Sequence, residues 1–296
     1  PEETPGRASD ALLTAVAKRR EAIGLSGAGV TVGVIDGEVA LGHPGLLDRV
    51  IHRRNYTREP FGVPGAHGTA VAGIVAGDTA GYEGVAPKAT IYNYKVLAST
   101  RELNGDDFGG ALAIQHALED GLRVVNCSWG AGRAKDGKSR EAVACNTAWR
   151  FGLTIVKSAG NQGPGVATIT TPADAEGVLV VGAANRDGTK LADYSSRGPT
   201  ADQRHRPHVL APGGDWGDEL HGLLVGGAVG EIGVGTSYAA PHVAGLVALL
   251  LEREPELTPS QQRDLIVAAA QALDGLSVDE QGAGVVQADR LFADGG

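Results

Sequence analysis

Short apolar runs rich in valine, isoleucine and alanine recur along this chain, and most are separated by a stretch with helical spacing. GVTVGVID (29–36), TIYNYKVL (90–97), LRVVNCSWG (122–130), LTIVKSAGN (153–161), GVLVVGAAN (177–185) and RPHVLAPGG (206–214) read as strands. Runs of this kind suit strands buried on both faces. Between them, residues 67–77 set Val71, Ile74 and Val75 on one helical face. The stretch 107–121 reads as a helix stopped by Gly121, and 138–151 reads as another. Parallel strands cannot be joined by a tight turn; they need a crossover, which a helix supplies. The pattern therefore predicts an α/β fold in three layers, a mostly parallel sheet with helices on both faces.

The ends of the chain extend the pattern. Ser9-Asp10 ahead of Leu12, Leu13, Val16 and Ile23 predicts a helix closed by Gly24. A long helix is expected over 237–253. Thr258-Pro259-Ser260-Gln261 matches a capping box with proline at the first helical position, opening a helix to about Ala272. Residues 1–8 read as a flexible arm. With no composition shift and no internal repeat, 9–296 reads as a single domain. A chain of 296 residues can bury about 75% of its unfolded surface, and its 45 glycines imply many tight turns.

Several function classes are disfavoured. A net charge of −9 argues against a nucleic-acid or anionic-membrane partner. No apolar stretch reaches the roughly 18 residues of a membrane span. The longest, around Val243–Leu251, contains Gly245 and ends in Glu252-Arg253-Glu254. Cys127 and Cys145 form no C-x-x-C pair, so a structural zinc is not expected. They read as two buried free thiols, with a disulfide as the alternative. Methionine is absent, position 1 included, as expected of a processed or recombinant piece, so a missing leader does not argue for the cytoplasm.

Ligand sites of open parallel sheets lie beyond the carboxyl ends of the strands. Asp36, Ser128 and Asn161 fall at such places. Taken singly, the candidate groups have ordinary readings: Asp36 as a turn former, His67 as a hydrogen-bonded surface histidine, Asn161 as a turn asparagine, and Ser237, in GVGTSYAAPHVAGLVALLL (233–251), as a helix cap. Together they are a chemical set. A serine hydroxyl needs a base within hydrogen-bond reach. Imidazole takes and returns a proton near neutrality. A carboxylate behind it fixes the tautomer and stabilises the imidazolium. A cap position and a reactive role are compatible for Ser237, because a helix start presents free amides and positive potential where an oxyanion forms.

VIDGEVALGHP, HGTAVAGIVAG and GTSYAAPHVAGLVALL, in that order, make the chain resemble the subtilisin-like serine peptidases, or subtilases, from about residue 29 to 293. GVAP (84–87), VVNCSWG (124–130), SAGN (158–161), YSSRGP (194–199), LAPG (210–213) and GAGVVQADRLFA (282–293) follow the same pattern. The resemblance implies a serine endopeptidase working through an acyl-enzyme, with Asp36, His67 and Ser237 as the triad and Asn161 as oxyanion donor. It implies a peptide substrate held as an extended strand by Ser128, Trp129 and Gly130 on one side and Leu103, Asn104 and Gly105 on the other. Ser128–Gly130 with Ala159 and Gly160 would wall the main specificity pocket; Trp129 either narrows that pocket or packs into the core. A propeptide or inhibitor is a further partner of this kind of enzyme, and an extracellular location is implied.

The sequence also departs from the family. The aspartate block reads Asp36-Gly37-Glu38, where Thr-Gly or Ser-Gly is usual after the acid; Glu38 either adds negative potential near the imidazole or faces solvent. Tyr238 follows the serine where methionine is common, and Ala70 replaces a second histidine. No cofactor is required for the chemistry. The usual strong calcium site is expected to be lost, since His43-Pro44 is followed by Gly45 and the loop 77–84 offers only Asp78 and Glu83, whereas calcium takes about six to eight oxygens. Calcium at other positions stays open. The rival readings are a peptide-binding pseudoenzyme, a maturation protease dedicated to one precursor, and a nucleotide-binding protein. The last is disfavoured because Gly27 and Gly29 precede the strand instead of following it. An α/β-hydrolase is disfavoured because Ser237 lacks a G-x-S-x-G setting.

Overall fold

The computed structural model describes residues 10–105, 108–133 and 136–293. The expected arm over 1–8 lies outside them. Nine strands form one sheet: β1 (Thr31–Asp36), β2 (Val50–Asn55), β3 (Thr90–Lys95), β4 (Val124–Cys127), β5 (Thr154–Ser158), β6 (Leu179–Ala184), β7 (Val209–Pro212), β8 (Ala270–Gln271) and β9 (Val285–Val286). Across the sheet they run β8-β9-β7-β6-β5-β4-β1-β3-β2. Every neighbouring pair is parallel except β8 with β9. The three-layer α/β expectation holds.

Successive strand residues face opposite sides of a sheet, and β1 shows what that does here. Val32 and Val34 join the core under α1 (Ala11–Ile23), α2 (Ala66–Ala76) and α5 (Thr236–Arg253). Ile35 joins the core under α3 (Gly109–Glu119) and α4 (Arg140–Arg150). Helix α5 crosses the middle of the sheet, touching β4 to β7, and is buried nearly all round. Small residues permit that depth: a Cβ added at Gly245 would lie 2.5 Å from the Cβ of Val85.

The chain enters the sheet at β1, lays β2 and β3 to one side, then crosses to β4 and the strands beyond it. β1 and β4 are thus neighbours from which the connections leave in opposite directions. The crevice beyond their carboxyl ends is where such a sheet takes a ligand.

Helix ends follow their chemistry. Asp10 caps α1 by accepting from the Leu13 amide at 2.8 Å, and Gly24, at φ 72°, closes it. Thr258 and Gln261 form the capping box of α6 (Pro259–Ala268). That helix stops short of Ala272 because the chain turns into β8, which pairs with β9. Strand β2 has no counterpart among the expected strands. Its sequence, VIHRRN, is mostly polar because it is the sheet's edge, where charge discourages pairing with another chain.

Candidate active site

Asp36 is the last residue of β1 and is fully buried. Its Oδ1 accepts from the Gly37 amide at 2.6 Å and meets His67 Nδ1 at 2.8 Å. His67 stands in the first turn of α2. Gly68 makes this approach possible, since a Cβ there would lie 2.7 Å from the Gly37 carbonyl oxygen. The Gly65 amide, donating to the Glu38 carbonyl at 2.8 Å, fixes the entry to the helix. With a carboxylate opposite Nδ1, that nitrogen carries the proton and Nε2 presents its lone pair. Burial of the ring pulls its pKa down, but the charge of Asp36 and its hydrogen bond together outweigh this, and the pKa is raised above 6.5.

Ser237 is the second residue of α5, not its cap. The N-cap position is Gly235, which has no side chain to offer. The acceptor comes from elsewhere: Asn161 Oδ1 accepts from the Thr236 amide at 2.9 Å and from the Thr236 hydroxyl at 2.7 Å. The Thr236 hydroxyl in turn accepts from the Gly160 amide at 3.2 Å. Because Oδ1 is engaged on the helix, Nδ2 of Asn161 is left to donate outward. The amides of Tyr238 and Ala239 are taken by the Gly235 carbonyl, whereas that of Ser237 has no acceptor among the described residues. Two donors, Asn161 Nδ2 and the Ser237 amide, therefore stand near Gly235 at the start of α5.

Ser128, just past β4, holds Ser237 at both ends. Pro241 lacks the N–H that would bond the carbonyl four residues back, and that carbonyl, of Ser237, accepts from the Ser128 hydroxyl at 2.7 Å. The Ser237 hydroxyl donates to the Ser128 carbonyl at 3.2 Å. It makes no bond to His67 here, although the imidazole lies at the same helix start, with its ring centre 5.5 Å from that of Tyr238.

Glu38 does not face solvent. It is 3% exposed and bonds the fully buried Lys95 at 2.9 Å; Lys95 also meets Glu59 at 2.8 Å. Glu38 accepts from the amides of Gly62 and Val63, and Glu59 from the amide and hydroxyl of Ser99. Bonds from Lys95 and Ser99 hold the Glu59 carboxyl below the usual range. Two charges of one sign sharing a buried cation tie the 59–63 loop to the strand ends around the site.

The segment 103–105 leaves a tight turn. Arg101–Leu103 is a short 3-10 turn, the Leu103 carbonyl is taken by the Arg58 amide, and Asn104 Oδ1 accepts from the Ala98 amide. A side chain at Gly105 would run into the Tyr56 carbonyl. The Leu103 amide and carbonyl and the Asn104 amide and side-chain oxygen are thus engaged within the protein's own fold. Trp129 is half-buried and packs on the α3–α4 core. Ala159 is buried beneath Gly160, and Gly130 is exposed. Around 77–84 the residues do not fit a calcium ion: Asp78 pairs with Lys88 at 2.7 Å and Glu83 with Arg20 at 3.1 Å. Among the described residues no three His, Cys, Asp or Glu side chains come together to hold a metal. No described helix is long and apolar enough to cross a membrane.

Thr236, Pro241, Lys95 and Glu59 were not singled out from the sequence. Only Pro241 carried a local signal, since a proline four residues after a serine in a helix orphans that serine's carbonyl.

Comparison with known proteins bears on most of the chain. A profile of the subtilase family matches residues 27–284. Serine protease AprX of Bacillus subtilis (strain 168) is 32% identical over 295 residues, covering 90% of this chain and 66% of AprX. Subtilisin DY of Bacillus licheniformis is 34% identical over 260 residues, covering 86% of this chain and 88% of its own length. Subtilisin E of Bacillus subtilis (strain 168) is 34% identical, and the chain spans 62% of its length. Among solved structures, Sphericase matches with a TM-score of 0.77 at 28% identity, over 95% of this chain and 100% of that one.

Proposed function

The chain belongs to the subtilase family, and from that premise we propose that it is a serine endopeptidase. Ser237 is its nucleophile, His67 its general base and acid, Asp36 the partner of His67, and Asn161 an oxyanion donor. The observation that carries this reading is the 2.8 Å bond between buried Asp36 and His67 Nδ1, set beside a helix start whose cap is Asn161 and not Ser237.

The reaction begins as the Ser237 hydroxyl turns from the Ser128 carbonyl to His67 Nε2. Its oxygen then bonds the scissile carbonyl carbon while its proton passes to Nε2 and the carbonyl electrons move onto oxygen. Asn161 Nδ2 and the Ser237 amide donate to that oxyanion; in subtilisin itself, losing one such donor costs about 10²–10³ in rate. Collapse re-forms the carbonyl and breaks the C–N bond, and the leaving amine takes the proton from Nε2. Water then repeats the cycle on the acyl-enzyme through the same base.

The substrate is a peptide laid along Ser128–Gly130 in extended form, where main-chain bonds give affinity. A propeptide would use the same surface. One peptidase domain over 9–296 is supported by the shared sheet, in which β1 and β9 are both members. No cofactor enters the chemistry, and an extracellular location accompanies this reading. A fluorophosphonate is expected to label Ser237, and Ser237→Ala to abolish labelling and lower cleavage by several orders of magnitude. Undiminished cleavage by that variant would refute the proposal.

A further inference from the structure

We propose that Thr170 closes the floor of the cleft between Ser128–Gly130 and Ala159–Gly160, so that the enzyme cuts after small side chains (glycine, alanine, serine) and not after large aromatic or aliphatic ones. This rests on the serine endopeptidase reading above and names its substrate class.

Strands β4 and β5 end side by side, with Cys127 opposite Lys157. Their continuations run past the sheet on either side of Ser237: Ser128 holds its hydroxyl and Asn161 caps its helix. The side chain of the residue whose carbonyl is attacked must drop between these two segments.

That space is already taken. Thr170 begins a short strand, Thr170–Thr171, that pairs antiparallel with Ala131–Arg133 across the base of the gap. The Thr170 amide and hydroxyl both donate to the Ala159 carbonyl, at 3.0 and 3.2 Å. Its side chain stands between the two walls. A Cβ built on Gly130 would lie 2.9 Å from the Thr170 hydroxyl. One built on Gly160 would lie 2.6 Å from its methyl and 2.8 Å from its hydroxyl. A gap that a single β-branched residue bridges from wall to wall leaves depth for little more than a methyl group.

Nor can the floor or the near wall yield. Threonine is stiff at χ1, and this one is 6% exposed with its hydroxyl tethered. The Trp129 indole is pressed onto Gly110 of α3. Beneath it the fully buried Lys157 amine, 5.9 Å from the ring centre, donates to the Ser158 carbonyl at 2.9 Å and hydroxyl at 2.8 Å. A large side chain would have to displace a buried polar network to enter.

The test uses peptides that differ only in the residue donating the scissile carbonyl, with kcat/KM measured for alanine, serine, leucine and phenylalanine. The wild-type protein is expected to favour alanine over phenylalanine roughly tenfold or more, and Thr170→Gly to raise phenylalanine cleavage by a similar factor. Thr170→Ser keeps the tether and removes only the methyl, so it reports an intermediate shift even if the glycine variant folds poorly. Equal cleavage after phenylalanine and alanine by the wild type overturns the proposal, as does an unchanged ratio in both variants. A protein that shows either result yet is labelled by a fluorophosphonate loses only the small-residue slot. One that neither labels nor cleaves any peptide loses the endopeptidase reading, and this proposal with it.

Discussion

Ser237 stands where two demands on one side chain conflict. A helix start calls for an acceptor, and a serine that caps is held in a geometry set by the cap. Here Asn161 supplies the acceptor through its oxygen, which frees the serine and, under the function proposed above, leaves the asparagine amide nitrogen to meet the developing negative charge. One residue thus meets both needs, and neither GTS nor SAGN alone shows it. His67 carries a testable consequence. Its pKa is raised because the charge and hydrogen bond of Asp36 outweigh burial. The base is therefore lost as pH falls through a value above 6.5, and the acid limb of kcat/KM should lie there. In Asp36→Asn the raising influences vanish while burial remains, so the imidazole should titrate below 6.5 and kcat should drop about 10⁴-fold. Imidazole NMR titration of both proteins checks this; an unmoved midpoint would mean that Asp36 does not govern the ring.

Helices α1 and α5, far apart in sequence, are joined at the start of α1. His242, in α5, meets Asp10 Oδ2 at 2.8 Å, and its other nitrogen faces the Tyr238 carbonyl at 2.8 Å. Both Asp10 and His242 are buried. Asp10 thus serves twice, since its other oxygen caps α1. Removing one member of a buried pair costs about 3–5 kcal/mol, against about 1 kcal/mol for a cap alone. Asp10→Ala should therefore lose the larger amount in urea denaturation, and Asp10→Ser, which can still cap, should recover only the smaller. A loss near 1 kcal/mol for Asp10→Ala would reduce its role to capping. Elements with strong periodicity or an explicit cap were readable in advance: α1, α6 and the central strands. β2 was not, because four of its six residues are polar at the sheet's edge, and the two-residue strands β8 and β9 are too short to show a period.

Across the whole molecule, the layer between the sheet and α3–α4 holds both thiols. Cys127 and Cys145 are free and fully buried; burial pushes the Cys127 thiol up to about 12 and raises that of Cys145 well above its ordinary value. A thiol reagent at pH 8 should leave the native protein untouched and label both cysteines only at the rate of global unfolding in denaturant. Rapid labelling of either without denaturant would show that this layer opens on its own. The candidate site divides in the same way between what is local and what is global. Residue types and element ends were legible, because capping, turn chemistry and hydrophobic period act over a handful of neighbours: Asp36 closing a strand, His67 opening a helix, Ser237 near the start of another. The Glu38–Lys95–Glu59 cluster was not, nor the wedge of Thr170 between Gly130 and Gly160, since their partners lie tens of residues apart. The sequence by itself determined which side chains stand at the ends of which elements. Only the tertiary structure decided that they share one crevice, because strand order in a sheet is settled by pairing between distant segments, and no short-range pattern encodes it.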